Sequence, residues 1–295
     1  MGIAITDRGA DTMSFKDYDT GHKNTWCPGC GDFGILHAVR LALDKQGLPK
    51  EQVLVVSGIG CSGKIPHYIH TYGIEAIHGR ALPAATGARF ANPSLKIIAH
   101  MGDGDCYGIG MGHFIHAMRR NLDITAIVHD NMIYGLTKGQ TSPTSEEGFV
   151  TKSTPHGAIE QPVNPIALAL ASGATFIARG FSGEALHLAE LIEQGMQHKG
   201  FALIDVFQPC VTYNMVNTYG FFQKKTYRLD QEGHDNTDFE AAMRKAHETE
   251  RLPIGLFYHA KHHTYVEKLK QEEGDLIVHE DISNIDVEDL LDAYE

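Results

Sequence analysis

The sequence predicts an α/β fold built on a doubly wound, mostly parallel sheet, and three observations carry that expectation. Five short apolar runs rich in β-branched residues lie between residues 52 and 207. They alternate with segments whose apolar residues recur at helical spacing, which is the pattern of a parallel sheet covered on both faces. Small, polar and thiol residues gather immediately after four of the five runs.

In chain order, "GILHAVRLALDKQG" (34–47) is a helix that Gly47 stops. "QVLVVSG" (52–58) and "LKIIAHM" (95–101) are strands, and "GMGHFIHAMRRN" (110–121) is a helix. "ITAIVHD" (124–130) and "TFIARGF" (175–181) are strands, "GEALHLAELIEQGMQHKG" (183–200) is a helix, and "FALIDVF" (201–207) is the last strand. Beyond residue 220 the alternation breaks. "TDFEAAMRKAHE" and "HTYVEKLKQEE" read as amphipathic helices, so residues 1–220 are expected to form the main domain and 221–295 a helical, acidic C-terminal extension. From Glu272 to Glu295 there are ten acidic residues and no Lys or Arg, the composition of a solvated end or of an arm that docks on a partner.

A chain of 295 residues with 42% hydrophobic and 21% charged composition suits one large domain, or one with an added piece. The net charge of −12 argues against a nucleic-acid partner, because phosphate neutralisation needs Lys and Arg. No apolar run reaches membrane-spanning length and the first residues lack the apolar stretch of a signal peptide, so a cytoplasmic chain is expected. Met1-Gly2 with Thr6 fits a myristoylation window, without the basic patch that would support it. In a reducing compartment, five cysteines favour metal binding or catalysis over disulfides.

Open parallel sheets bind ligands beyond the carboxyl ends of their strands. Four strands there lead into Ile59-Gly60-Cys61-Ser62-Gly63-Lys64, Gly102-Asp103-Gly104-Asp105, Asn131-Met132-Ile133-Tyr134-Gly135 and Gln208-Pro209-Cys210. Gly102 and Gly104 let the backbone turn and approach a ligand, and the following helix can direct its N-terminus at a phosphate. Alone, Gly-Asp-Gly is a turn. Asn131 follows Asp103 by 28 residues, one strand–helix–strand unit, which puts both at the ends of neighbouring strands. An Asp carboxylate, an Asn carbonyl and a main-chain carbonyl suit Mg²⁺, which also takes phosphate oxygens. Cys27 and Cys30 are paired by spacing, Cys61 follows the first strand and Cys210 the last. Four such thiolates can ligate a [4Fe–4S] cluster; spacing leaves zinc open, whereas a thioredoxin-like site would want its Cys-x-x-Cys at a strand-to-helix turn. Cys106 reads as a small buried residue.

The Gly-Asp-Gly and Asn pairing resembles the thiamine diphosphate motif. "WCPGCGDFGIL", "SGIGCSGK", "HGRALPAATG", "GDGDCYGIGMGHFIHAMRRNLDITAIVHDNMIYGLTKGQTSPTS" and "QPCVTYN" together resemble the β subunit of 2-oxoacid:ferredoxin oxidoreductases, over roughly residues 24–225. The resemblance implies Mg²⁺ on Asp103, Asn131 and the Ile133 main chain. It implies a diphosphate lined by Gly102, Gly104, Asp105 and Tyr134, with His78 and Gly79 nearby and Gly60, Ser62, Gly135, Leu136 and Thr137 completing the cofactor set. It matches Cys27, Cys30, Cys61 and Cys210 to the ligands of a [4Fe–4S] cluster. Lys64 becomes a candidate to pair with a substrate carboxylate, against its plainer reading as a surface lysine. His78 stands out among eighteen histidines, of which His187 and His198 are expected to be ordinary surface or core residues.

The implied reaction is oxidative decarboxylation of a 2-oxoacid to acyl-CoA and CO₂, with electrons passing through the cluster to ferredoxin, and reversal would fix CO₂. The resemblance also implies an α subunit that supplies the pyrimidine-binding domain, in a heterodimer or a dimer of heterodimers. The "YGLTKGQTSP" stretch leans toward 2-oxoglutarate, with pyruvate or a branched-chain or aryl 2-oxoacid as alternatives. Readings of other kinds are a thiamine-dependent decarboxylase or synthase without electron transfer, and a non-catalytic scaffold stapled by zinc.

Overall fold

The computed structural model describes residues 14–269 together with Val278. The Met-Gly start and nearly all of the acidic tail lie outside the described residues. Strands β1 (Val53–Ser57), β2 (Tyr72–Glu75), β3 (Lys96–Gly102), β4 (Ile124–Asp130), β5 (Phe176–Phe181), β6 (Phe201–Phe207), β7 (Thr226–Arg228) and β8 (Leu252–His259) form one sheet in the order β2-β1-β3-β4-β6-β5-β8-β7. All pairings are parallel except that of β8 on β5. The helices are α1 (Asp32–Gln46), α2 (Ala81–Ala91), α3 (Met111–Arg119), α4 (Pro165–Ala171), α5 (Ala185–Gln197), α6 (Tyr219–Lys225), α7 (Phe239–Ala246) and α8 (Tyr265–Lys268).

The inner strands are continuous apolar runs because both of their faces are covered. Leu54, Val56, Ala99 and Leu203 turn toward one core, under residues of α2, α3, α4 and α7. Val53, Val55, Ile98 and Ile204 turn toward the other, under α1 and α5. α1 ends where expected, with Gly47 in the left-handed conformation at φ 59°.

The extension after residue 220 is not helical throughout. α7 is present, N-capped by Asp238, and α8 begins with a capping box between Thr264 and Glu267. Between them β8 joins the main sheet, and β7 pairs with β8. β8 escapes a sequence reading because "LPIGLFYH" carries Pro253 and Gly255, residues that demote a run as a strand. Its ladder with β5 shifts register between Ile177 and Ala178, and Gly255 sits at φ 124° against Leu229. No helix of the described residues is long and apolar enough to cross a membrane.

Candidate functional site

β1 and β3 are adjacent, yet their connections leave in opposite directions, β1's toward β2 and β3's toward β4. The crevice between their carboxyl ends is therefore a topological switch point, the usual ligand position in an open α/β sheet. A cavity of about 270 Å³ opens there. The loop after β1 contributes Gly60, Cys61 and Ser62. The loop after β3 contributes Gly102, Asp103, Gly104 and Asp105. The loop after β4 contributes Asn131, Ile133, Tyr134, Gly135, Leu136 and Thr137, and His78 completes the wall. Of the expected cofactor residues, Gly79 alone is off this wall, and it stands behind Asp105. A wider cavity of about 980 Å³, by the amino end of β5, carries none of the predicted residues.

Asp103 is buried at the end of β3, and its Oδ2 accepts from Ser142 Oγ at 2.5 Å and Thr144 Oγ1 at 2.7 Å. Burial pushes this carboxyl up to about 6 while the two hydroxyls hold it back. Neither hydroxyl was singled out from the sequence, because the Ser142–Ser145 loop returns to the strand ends only in three dimensions. β3 and β4 pair directly, so Asn131 leaves the sheet one strand away. Its Oδ1 accepts from Ile133 N at 3.1 Å, and Met132 between them takes φ 56°.

Asp105 braces the site. Its Oδ1 accepts from Gly79 N at 2.6 Å and Ile59 N at 3.4 Å, tying two loops to the turn after β3. His78 Nδ1 lies 2.7 Å from the same oxygen, at ion-pair distance though out of line for a hydrogen bond. Gly58, absent from the sequence-based set, is obligatory here, since a Cβ would stand 1.8 Å from Asp105 Oδ2. Tyr134 covers Gly104, where a Cβ would meet its ring at 2.0 Å, and its hydroxyl donates to Gly104 O at 3.2 Å. Ser62 Oγ and Asp105 Oδ2 are buried without a hydrogen-bond partner among the described residues. An anionic ligand bound through a cation, with a hydroxyl left to donate, fits this wall.

The thiols lie beside this cavity. Cys30 N donates to Cys27 O, and Gly31 N donates to Pro209 O at 3.1 Å, so the Cys27–Cys30 loop closes on the segment after β6. Trp26 Nε1 donates to Cys61 O at 2.8 Å and pins the same loop to the end of β1. Burial pushes the Cys61 thiol up to about 12, with the Asp32 carboxylate, Cys210 and Cys27 adding to the rise and Lys64 opposing it. Burial and Asp32 raise Cys30 further still. Among the described residues no three His, Cys, Asp or Glu side chains are close enough to share one ion. Cys27 and Cys210 are near enough for their charges to be felt at Cys61, as Cys61 is at Cys30, and a cationic centre would offset the cost of ionising Cys30 and Cys61. Cys106 lies apart, in the core under α2 and α3. Lys64 stands by Cys61 with its Nζ 3.5 Å from Thr25 O, off the cavity wall.

Residues 58–206 match the family model for the C-terminal TPP-binding domain of thiamine pyrophosphate enzymes, and residues 210–273 match that for the C-terminal part of the pyruvate ferredoxin oxidoreductase β subunit. The 2-oxoacid:ferredoxin oxidoreductase β subunit of Saccharolobus solfataricus is 46% identical over 91% of this chain and 95% of that protein. The 2-oxoglutarate oxidoreductase subunit KorB of Mycobacterium tuberculosis is 45% identical, over 72% of this chain and 56% of its own length. The structure of 2-oxoglutarate:ferredoxin oxidoreductase from Magnetococcus marinus, with 2-oxoglutarate, coenzyme A and succinyl-CoA bound, superposes with a TM-score of 0.87 at 38% identity, covering 96% of each chain. With relatives matched almost end to end and a thiamine pyrophosphate domain spanning the crevice between β1 and β3, the chain belongs to the β subunits of the 2-oxoacid:ferredoxin oxidoreductases.

Proposed function

We propose that this β subunit grips the diphosphate end of thiamine diphosphate, carries a [4Fe–4S] cluster beside it, and acts on 2-oxoglutarate. The observation that carries the reading is the delivery of Asp103, Asn131, Cys61 and Cys210 to one edge by four parallel strands, with the Cys27–Cys30 loop folded onto that edge. Asp103, Asn131 and the Ile133 carbonyl would hold Mg²⁺, and the four thiolates would hold the cluster. When bound, these groups supply a carbon nucleophile that accepts the electron pair left by CO₂ and a one-electron outlet toward ferredoxin.

The protein's own residues bind, orient and exclude water. Ser142 and Thr144 fix the Asp103 carboxylate, and Asp105 holds the loops at Ile59 and Gly79 in place. Ser62 offers a free hydroxyl. Ile133 and Leu136 line the cavity and keep the reacting region dry. His78 on the wall is the candidate to meet the 2-oxoacid, and Lys64 beside Cys61 to meet a carboxylate of it. The chain works with an α subunit that supplies the pyrimidine half of the cofactor site, in a heterodimer or a dimer of those, in the cytoplasm.

The test is a panel of 2-oxoacids on the co-expressed complex, read by coenzyme A-dependent ferredoxin reduction alongside iron and labile-sulfide analysis. Highest kcat/KM on 2-oxoglutarate with about four irons per chain is expected. Zinc without sulfide would remove the cluster, and a preference for pyruvate would replace the substrate.

A further inference from the structure

Gln208 is 1% exposed and appears in no metal or cofactor set, yet it touches both. It is the first residue after β6, as Asn131 is the first after β4. Those strands pair with Asp130 opposite Phe207, and Gln208 N donates to Asp130 O at 2.9 Å, so the two side chains leave the sheet side by side. Asn131 Nδ2 donates to Gln208 Oε1 at 2.7 Å. Gln208 Nε2 in turn donates to Cys30 Sγ at 3.4 Å and to Pro209 O at 3.1 Å. The Cys27–Cys30 loop is packed onto the same side chain, for a Cβ on Gly31 would lie 2.8 Å from Gln208 Cγ.

The direction of this chain of bonds is forced at both ends. Ile133 N–H can only donate, so the atom of Asn131 facing it is the oxygen and the atom facing Gln208 is the nitrogen. Gln208 must then present its oxygen to Asn131 and its nitrogen to Cys30. The Pro209 carbonyl, which can only accept, demands the same orientation independently. The sulfur of Cys30 is left as an acceptor.

A second polar group reaches that sulfur, and it behaves differently. Asp32 Oδ2 lies 3.3 Å from Cys30 Sγ, its other oxygen lies 2.6 Å from His129 Nδ1, and His129 Nε2 lies 2.9 Å from His100 Nδ1. A carboxylate can accept only from a thiol, so that bond loses its proton once the sulfur binds iron. The Gln208 bond survives, because its proton belongs to the amide.

Building on the function proposed above, we propose that Gln208 is a positioning residue that couples the two cofactor sites. One amide fixes the Asn131 side chain that faces the metal and donates to the Cys30 sulfur of the cluster. Hydrogen bonds to cluster sulfurs help set the reduction potential. A donor stabilises the more negative, reduced state, so Gln208 raises the potential of the cluster.

Two substitutions separate its jobs. Gln208→Glu keeps an oxygen for Asn131 and removes the N–H from Cys30. Gln208→Leu removes both contacts at similar volume. Each is co-expressed with the α subunit and compared with wild type by iron and sulfide content, by redox-poised EPR of the cluster and by Mg²⁺-dependent thiamine diphosphate affinity. In both variants the reduced-to-oxidised ratio at fixed poise should fall about tenfold, equivalent to about 59 mV for a one-electron couple. Thiamine diphosphate affinity should hold within about twofold in Gln208→Glu and fall at least tenfold in Gln208→Leu. Loaded variants whose ratio stays within twofold of wild type overturn the proposal. So does loss of the cluster from both with thiamine binding intact, which would make Gln208 a brace for the loop. Wild-type complex lacking iron and sulfide would instead overturn the cluster reading on which the proposal rests.

Discussion

At the scale of single residues, the site is held by what cannot be enlarged and what cannot be neutralised. Gly58 and Gly104 are confined from opposite walls, by Asp105 Oδ2 and by the Tyr134 ring. Gly104→Ala must push that ring away, at a cost of about 1–3 kcal/mol in stability, and should weaken thiamine diphosphate binding at least tenfold. Urea melts and calorimetric titration on one preparation check both, and a cofactor affinity equal to wild type would show the ring to be unimportant. Asp103→Asn keeps acceptors for Ser142 and Thr144 but deletes the anion. It should leave the fold intact and weaken Mg²⁺-dependent cofactor binding by at least about 100-fold, since even residues one shell removed from a metal cost 10–100-fold. The placement of Asp103 and Asn131 on one edge was legible in the sequence because it depends on position after a strand, and strands are legible. Ser142, Thr144 and Gln208 were not given roles, though all three lie in stretches that the family resemblance covers. Their contacts arise from where loops return, and no periodicity encodes that.

At the scale of elements, the five apolar runs read from the sequence are β1, β3, β4, β5 and β6, the fully or largely buried strands. β2 is exposed along its length and α2 carries Pro83 and Gly87, so neither advertised itself. β8 matters most among the elements that were missed, for it carries the C-terminal region into the main core through Phe257, which is fully buried. Phe257→Ala should destabilise the protein by about 3–5 kcal/mol. Urea unfolding checks this, and a loss under 1 kcal/mol would mean that the extension packs only loosely. Nearby, His198 caps the end of α5 against β5 and β8, with its Nε2 2.7 Å from Thr175 Oγ1. Burial lowers its value to about 4, with His259 and Lys96 adding to the effect. The unfolded chain takes up that proton near pH 6.5, before the folded one does. His198 should therefore erode stability as pH falls from about 6.5 to about 4, by at most about 1.4 kcal/mol per pH unit, and add nothing further below. The difference between wild-type and His198→Gln unfolding curves across that range isolates the effect, and parallel curves would disprove it.

At the scale of the whole molecule, the carboxyl edge of the sheet is both the candidate site and a rim that exposes apolar side chains. Ile59, Ile77, Ile109, Leu136, Met215 and Val216 are exposed there, on the loops that follow β1, β2, β3, β4 and β6. Apolar side chains clustered around a cavity mark a surface that another chain covers. The described residues build one doubly wound sheet, with a diphosphate-type crevice and no second such unit to hold the far end of the cofactor. A cofactor held only by its diphosphate stays open to water and unactivated at its reacting ring. The rim is therefore where the α subunit is expected to sit, closing the cavity as it docks. Ile77 and Met215 are the most exposed of the six, at 74% and 68%, and neither lines the cavity. Ile77→Asp with Met215→Asp should leave the isolated chain folded and its cofactor affinity unchanged. Burying two unpaired carboxylates should weaken association with the α subunit by about 100-fold, or about 2.8 kcal/mol. Wild-type chain alone, loaded with cluster, thiamine diphosphate and Mg²⁺, should reduce no ferredoxin with 2-oxoglutarate, and should gain turnover as α subunit is added. The double variant should need about 100-fold more α subunit to reach the same rate. Full turnover by the isolated chain would mean that it holds a complete site, and an unshifted titration with the double variant would put the partner on a different face.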